Sequence, residues 1–202
     1  MAIVENPNKF ADKYRVASSR RENWDYSTPG FYFVTICTLN HNNFFGKIIN
    51  NKIELSKMGV IVKSELLKTF EIRKNIKLHQ YVIMPNHIHL LMEIKYQINS
   101  DTNHVNCRDV ARYVSTLTNN VSSKKDNKKF SKISPKPNSV SSIIRSFKSA
   151  ITKQINPKTI FFAWQPRYHD IIVKDQKQYF TIKNYIKNNV VNWEKDRYFV
   201  NS

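Results

Sequence analysis

The sequence predicts an α+β fold, a compact antiparallel sheet with helices packed on one face. Its 202 residues, 41% of them hydrophobic and 12% aromatic, suit one globular domain with a real core. Short β-branched and aromatic runs alternate with stretches whose apolar residues recur every three or four positions. The resulting order is strand, hairpin, helix, strand, strand, helix, strand, helix, for which a ferredoxin-like sheet with its helices packed on it is the natural solution.

Residues 1–28 read as a basic arm ending at Trp24-Asp25-Tyr26 and the turn Pro29-Gly30. Phe31 to Thr38 is β-branched and aromatic throughout, the composition of a strand buried on at least one face. Phe44 to Ile49 and Lys52 to Leu55, broken by Asn50-Asn51, form a hairpin. Ser56 caps a first helix with Met58, Ile61, Val62, Leu66 and Phe70 on its apolar stripe. Leu78 to Met84 is the next strand, and His87 to Ile94 follows. Ile88, Leu90, Met92 and Ile94 take one face of that strand, leaving His87, His89, Leu91 and Glu93 on the other.

Residues 96–137, rich in Asn, Ser and Lys with Lys124-Lys125 and Lys128-Lys129 clustered, are expected to be a flexible basic insertion. Val140, Ile143, Ile144, Phe147, Ile151 and Ile155 mark a second helix, flanked by Arg145, Lys148 and Thr152. Ile171 to Val173 is a short strand. Asp175 with Gln178 starts a third helix expected to run to about Trp193, its stripe being Tyr179, Ile182, Ile186, Val190 and Trp193. The domain spans 29–195, with 196–202 as a tail.

The charge balance sets the class of partner. With 33 Lys and Arg against 15 Asp and Glu, the chain carries +18, which points to a polyanion, most simply nucleic acid, over a merely solvated basic surface. Cys37 and Cys107 lack metal or disulfide spacing, which fits a reducing cytoplasm. The N-terminus has no apolar signal core, and no apolar run reaches the roughly 18 residues of a membrane span, so no membrane partner is expected. Only three glycines occur and no G-x-x-x-x-G-K is present, so the chemistry is expected to need no ATP.

His87 and His89 stand two apart at the head of a strand, so both imidazoles share one face and can reach one metal ion. Two imidazoles satisfied by hydrogen bonds on a half-exposed sheet are the alternative. A metal site needs a third ligand and leaves open positions for substrate. On the third helix, Tyr185 lies about 100° from Ile186, off the apolar stripe, with Asn189 one turn on along the same face. Periodicity alone leaves these as an edge tyrosine and a helix-end amide.

MPNHIHLL, SIIRSFKSAITKQIN, WQPRYHD and KNYIKNN, in that order and spacing, resemble the single-tyrosine HUH transposases of the IS200 type. The likeness is to the branch of REP-associated tyrosine transposases, and FYFVTICT and ELSKMG share it; it covers about residues 20–195. The resemblance implies an IS200-like transposase fold, His87 and His89 as metal ligands, Asn189 as the polar third ligand and Tyr185 as nucleophile. It further implies Mg or Mn as the divalent cofactor and a 5′-phosphotyrosine intermediate formed on single-stranded DNA beside a hairpin or palindromic repeat. The protein would act as a monomer or homodimer. His169-Asp170 is a candidate outer pair, but Ile171 stands where the family often carries another His. A non-cutting hairpin-binding or regulatory protein on the same fold, and an RNA-binding module, are the rival readings. For phosphate contact the candidates are Arg20 and Arg21 of the arm, Arg145 and Lys148 on the second helix, and Arg167. Trp164, Arg167 and Tyr168 could stack on unpaired bases, or Trp164 could pack in the core.

Overall fold

The computed structural model describes residues 20–95, 136–155 and 161–200. Residues 1–19 of the expected arm, residues 96–135 of the expected insertion with its Lys124 to Lys129 cluster, and Cys107 lie outside the described residues.

Among the described residues six strands and three helices form: β1 (Gly30–Cys37), β2 (Gly46–Ile49), β3 (Lys52–Leu55), α1 (Lys57–Ile72), β4 (Ile76–Ile83), β5 (His87–Ile94), α2 (Val140–Gln154), β6 (His169–Val173) and α3 (Gln176–Asn188). Four of the strands make one antiparallel sheet in the order β4-β5-β1-β6. The α+β class and the antiparallel sheet with helices packed on it are as the sequence predicts.

The helices, however, cover both faces of the sheet rather than one. Tyr32, Val34 and Ile36 of β1 and Ile88, Leu90 and Met92 of β5 form the main core with Val62 and Leu66 of α1 and Ile143, Ile144, Phe147 and Ile151 of α2. On the opposite face Leu91 packs with Ile182 and Ile186 of α3, beside Phe33, Val82 and Val173. The reason lies in β5, buried at seven of its eight positions. A central strand with Leu91 and two histidines on its second face cannot leave that face wet, and α3 covers it.

Local chemistry fixes the ends of the elements. Asn50 and Asn51 take φ of 50° and 59°, the left-handed pair that a two-residue hairpin turn requires. The Ser56 hydroxyl accepts from Gly59 N–H and donates to the Phe44 carbonyl, tying α1 to the segment just before β2. A Cβ on Gly59 would lie 2.1 Å from the Phe45 carbonyl oxygen, so only glycine lets α1 approach so closely. In β4, His79 is an extra residue between Leu78, which pairs with Met92, and Gln80, which pairs with Leu91.

The third helix is shorter than its periodicity predicts. It ends at Asn188; Val190 is half-buried in the following turn, and Trp193 is buried from a short 3-10 segment, Trp193–Lys195. Asn188 and Asn189 are weak helix formers, and the Asn189 amide bonds Asp196 at 2.8 Å, so the chain doubles back. Residues 196–200 are therefore no loose tail: Tyr198 is buried, and its carbonyl accepts from the Asn86 amide at 2.8 Å. Among the described residues no helix is long and apolar enough to cross a membrane.

Candidate metal centre and tyrosine

The site is built on the turn that carries β4 into β5. Met84 N–H donates to the His87 carbonyl to close that turn, and Asn86 inside it is wholly buried. The Asn86 amide nitrogen donates to two carbonyls, His41 at 3.0 Å and Tyr198 at 2.8 Å. This leaves Asn86 Oδ1 as an acceptor 2.8 Å from His87 Nδ1, so Nδ1 carries the proton and Nε2 presents a bare lone pair. His89 is oriented similarly: its Nδ1 lies 2.8 Å from the Thr35 hydroxyl, and its ring stacks on Phe33 at 5.2 Å. The two rings of the pair stand 4.5 Å apart.

Burial keeps both imidazoles neutral. It pushes the His87 pKa down to about 3, helped by nearby His41, and holds His89 well below the ordinary value, helped by His87 itself. Neutral imidazoles are the form that binds metal.

The acidic partner comes from past the third helix. Asp196 Oδ1 accepts from Tyr198 N–H at 2.8 Å, which aims Oδ2 at the histidines, 4.0 Å from His87 Nε2. His87, His89 and Asp196 each offer one ligand atom, all within 4.8 Å of one another. Asn189, the third ligand expected from the resemblance, lies beside this cluster: its amide nitrogen donates to Asp196 Oδ2 at 2.8 Å, which leaves Oδ1 on the side of His87.

This arrangement fits a cation. Both His87 Nε2 and Asn189 Oδ1 are buried without a hydrogen-bond partner among the described residues, and both are acceptors. Two bare lone pairs beside a buried carboxylate repel unless a positive charge sits between them. Imidazole, amide and carboxylate donors together suit a divalent cation.

Tyr185 projects from α3 into the same space. Its hydroxyl lies 3.2 Å from His89 Nε2 and 3.3 Å from Asp196 Oδ2, while 42% of the residue stays exposed. Burial of the phenol, with the Asp196 charge beside it, pushes its pKa up to about 12.

Other sequence candidates are placed elsewhere. Arg20 lies over the Tyr168 ring at 4.7 Å and near Tyr26, and Arg21 over Trp24, around the α2 side of the sheet. Arg145 is exposed on α2, whose apolar stripe packs on the face opposite the histidines. The Lys148 ammonium donates to the carbonyls of Gln165 and Arg167, at 2.9 and 2.5 Å, and burial lowers its pKa to about 8. It braces the segment before β6. Arg167, at the end of that segment, is exposed with φ of 68°. Trp164 packs among Phe45, Phe147 and Phe162. His169 pairs with Thr35 and Asp170 with Val34, so the two side chains take opposite faces and form no outer pair.

Sequence reasoning missed Asp196 and Asn86. The aromatic cluster Trp193, Tyr198 and Phe199 was the available signal that the chain stays packed beyond α3. Asn86→Ala is expected to lower Mn²⁺ affinity by about 10- to 100-fold, because His87 loses the partner that fixes its tautomer. Calorimetric titration checks this, with the thermal midpoint in chelator as the folding control. Unchanged affinity would remove Asn86 from the centre.

No model of a known protein family matches the chain. An uncharacterized protein of Haemophilus influenzae is 31% identical over 184 residues, 91% of this chain and 92% of that one. A solved structure of a REP-associated tyrosine transposase bound to a REP hairpin superposes with a TM-score of 0.52 at 16% identity, covering 88% of this chain and 74% of that one. At that identity the likeness shows the fold, the same α+β arrangement with its antiparallel sheet.

Proposed function

This chain belongs to one family with the Haemophilus influenzae protein, and we propose that it is a metal-dependent enzyme that nicks and rejoins single-stranded DNA beside a hairpin, with Tyr185 as nucleophile. The observation that carries the reading is the Tyr185 hydroxyl, on an exposed ring, within 3.3 Å of both His89 and Asp196 in a cluster whose unpaired acceptors call for a cation.

Each residue has a distinct task. His87, His89 and Asp196 would hold a divalent ion, with Asn189 Oδ1 beside them, and Asn86 and Thr35 fix the two imidazoles. When bound, a divalent ion would supply positive charge to offset that of the phosphodiester and so favour attack at phosphorus. Phe33 and His89 support the Tyr185 ring, at centroid distances of 6.1 and 5.2 Å, so its oxygen is directed at the cluster.

In the step, the bond from Tyr185 oxygen to phosphorus forms as the bond from phosphorus to the 3′-oxygen breaks. The electron pair leaves on the 3′-oxygen, and the phenol's proton is balanced by the one that the new 3′-hydroxyl gains. One phosphoester replaces another, so bond energy is conserved in a 5′-phosphotyrosine, and a 3′-hydroxyl can reverse the reaction without ATP. A phenol with its pKa near 12 is protonated at neutral pH, so deprotonation accompanies attack.

The solved fold neighbour was bound to a REP hairpin, and a palindromic repeat folded as a hairpin is the substrate proposed here. The test is direct. Protein mixed with Mn²⁺ and hairpin oligonucleotides drawn from the DNA around its gene should give an adduct that survives denaturation, is prevented by chelator, and maps to Tyr185 by peptide mass. Binding without any adduct would leave a non-cutting hairpin-binding protein.

A further inference from the structure

We infer that the cavity between the β2–β3 hairpin and the turn after α3 holds one unpaired nucleobase of the strand whose phosphate is processed at the metal centre. The inference rests on the DNA-processing reading for the identity of that strand. The cavity, of about 380 Å³, is bounded by the hairpin turn, by Pro85 and by Trp193 and Phe199. Pro85 immediately precedes Asn86 and His87. The Trp193 ring lies 6.0 Å from that of His87, so one aromatic wall separates the cavity from a metal ligand. A nucleotide adjoining a phosphate at the centre reaches that far.

The lining is that of a base site. Trp193 and Phe199 meet edge to face at 5.3 Å and give an apolar wall. Asn43, Asn51 and Glu194 bring amide donors, amide acceptors and a carboxylate, the groups that read the hydrogen-bonding edge of an unpaired base. Charge separates a base from a phosphate. In a chain of net charge +18, Lys47 is the one cation lining this cavity among the described residues, and its ammonium is 3.9 Å from Glu54. A groove following the phosphate backbone would be cationic, whereas a nearly neutral cavity of amides and aromatics suits the base.

Asn51 sits at φ of 59°, which the turn itself requires, so the informative replacement is Asn51→Gly: it removes the amide and keeps the backbone. Glu194, exposed on the short 3-10 segment, can be changed to Gln without touching the core. The test uses the full chain carrying Tyr185→Phe, with Mn²⁺, and selects from a library of hairpins whose single-stranded flanks are randomised. The parent should enrich one base at one flank position, and an abasic site there should weaken binding about tenfold. Asn51→Gly with Glu194→Gln should cut that penalty to about twofold or less, with the thermal midpoint and Mn²⁺ affinity unchanged. Absence of any base preference, or an undiminished abasic penalty in the double variant, overturns the inference. If the unmodified protein forms no adduct but the coupling persists, the nicking reading falls and the base site stands. An adduct without the coupling does the reverse.

Discussion

Replacing Asp196 with Asn is expected to lower Mn²⁺ affinity by about a hundredfold or more and to reduce adduct formation accordingly, while the protein stays folded. Among the described residues the carboxylate is the one negative charge beside His87, His89 and Asn189, so its removal would leave a neutral ligand set for a divalent ion. Asn is the informative replacement because it keeps the side chain's size, and its one oxygen still accepts from either the Asn189 amide or Tyr198 N–H, which the carboxylate serves with separate oxygens. Ala would instead strand those donors, at a cost of about 1–3 kcal/mol. Asn189→Ala removes only a neutral ligand and should cost less metal affinity than Asp196→Asn. Calorimetry at matched ionic strength ranks the two, and the reverse order would make Asn189 the principal third ligand. A further consequence concerns pH. Burial keeps His87 and His89 neutral well below the usual histidine range, so Mn²⁺ affinity should change little between about pH 6 and about pH 7.5, where two ordinary imidazoles would lose about tenfold.

How much of this was legible before the structure follows from how local each signal is. The strands, the Ser56 and Asp175 caps and the Asn50-Asn51 turn depend on near neighbours, and all appear at or near their expected places. The face of β5 that carries His87 and His89 follows from the two-residue period of a strand. What the sequence withheld depends on where the chain goes next. Nothing in the periodicity of residues 176–193 says that the helix stops at Asn188, because Val190 half-buried and Trp193 buried suit a continued helix as well as a turn. Asp196 enters the centre only because it turns. Likewise, α3 covers the histidine face and not the α1 and α2 face because β5 is central in the sheet, a fact of strand order rather than of local pattern. Lys148 shows the same limit: on a helical wheel it is a basic flank residue, and in the fold it is bonded to two carbonyls.

Tyr185→Phe is expected to abolish the covalent adduct, a loss of at least about 10⁴-fold, since no other hydroxyl replaces the attacking oxygen. Stability should barely change. The ring keeps its contacts with Phe33 and His89, and the lost hydroxyl gives up only two long contacts, at 3.2 and 3.3 Å. Hairpin binding should stay within about threefold, because the phenol hydroxyl carries no charge. Tyr198 is the nearest rival, its ring 4.8 Å from that of His87, but it is buried and its hydroxyl is engaged with Cys37. An undiminished adduct in Tyr185→Phe that disappears on Tyr198→Phe would transfer the nucleophile to that residue. Because the Tyr185 oxygen already meets His89 and Asp196 of its own chain, mixing Tyr185→Phe with His87→Ala protein should restore no activity. Recovery in the mixture would show that two subunits exchange their tyrosines, each completing the metal centre of the other.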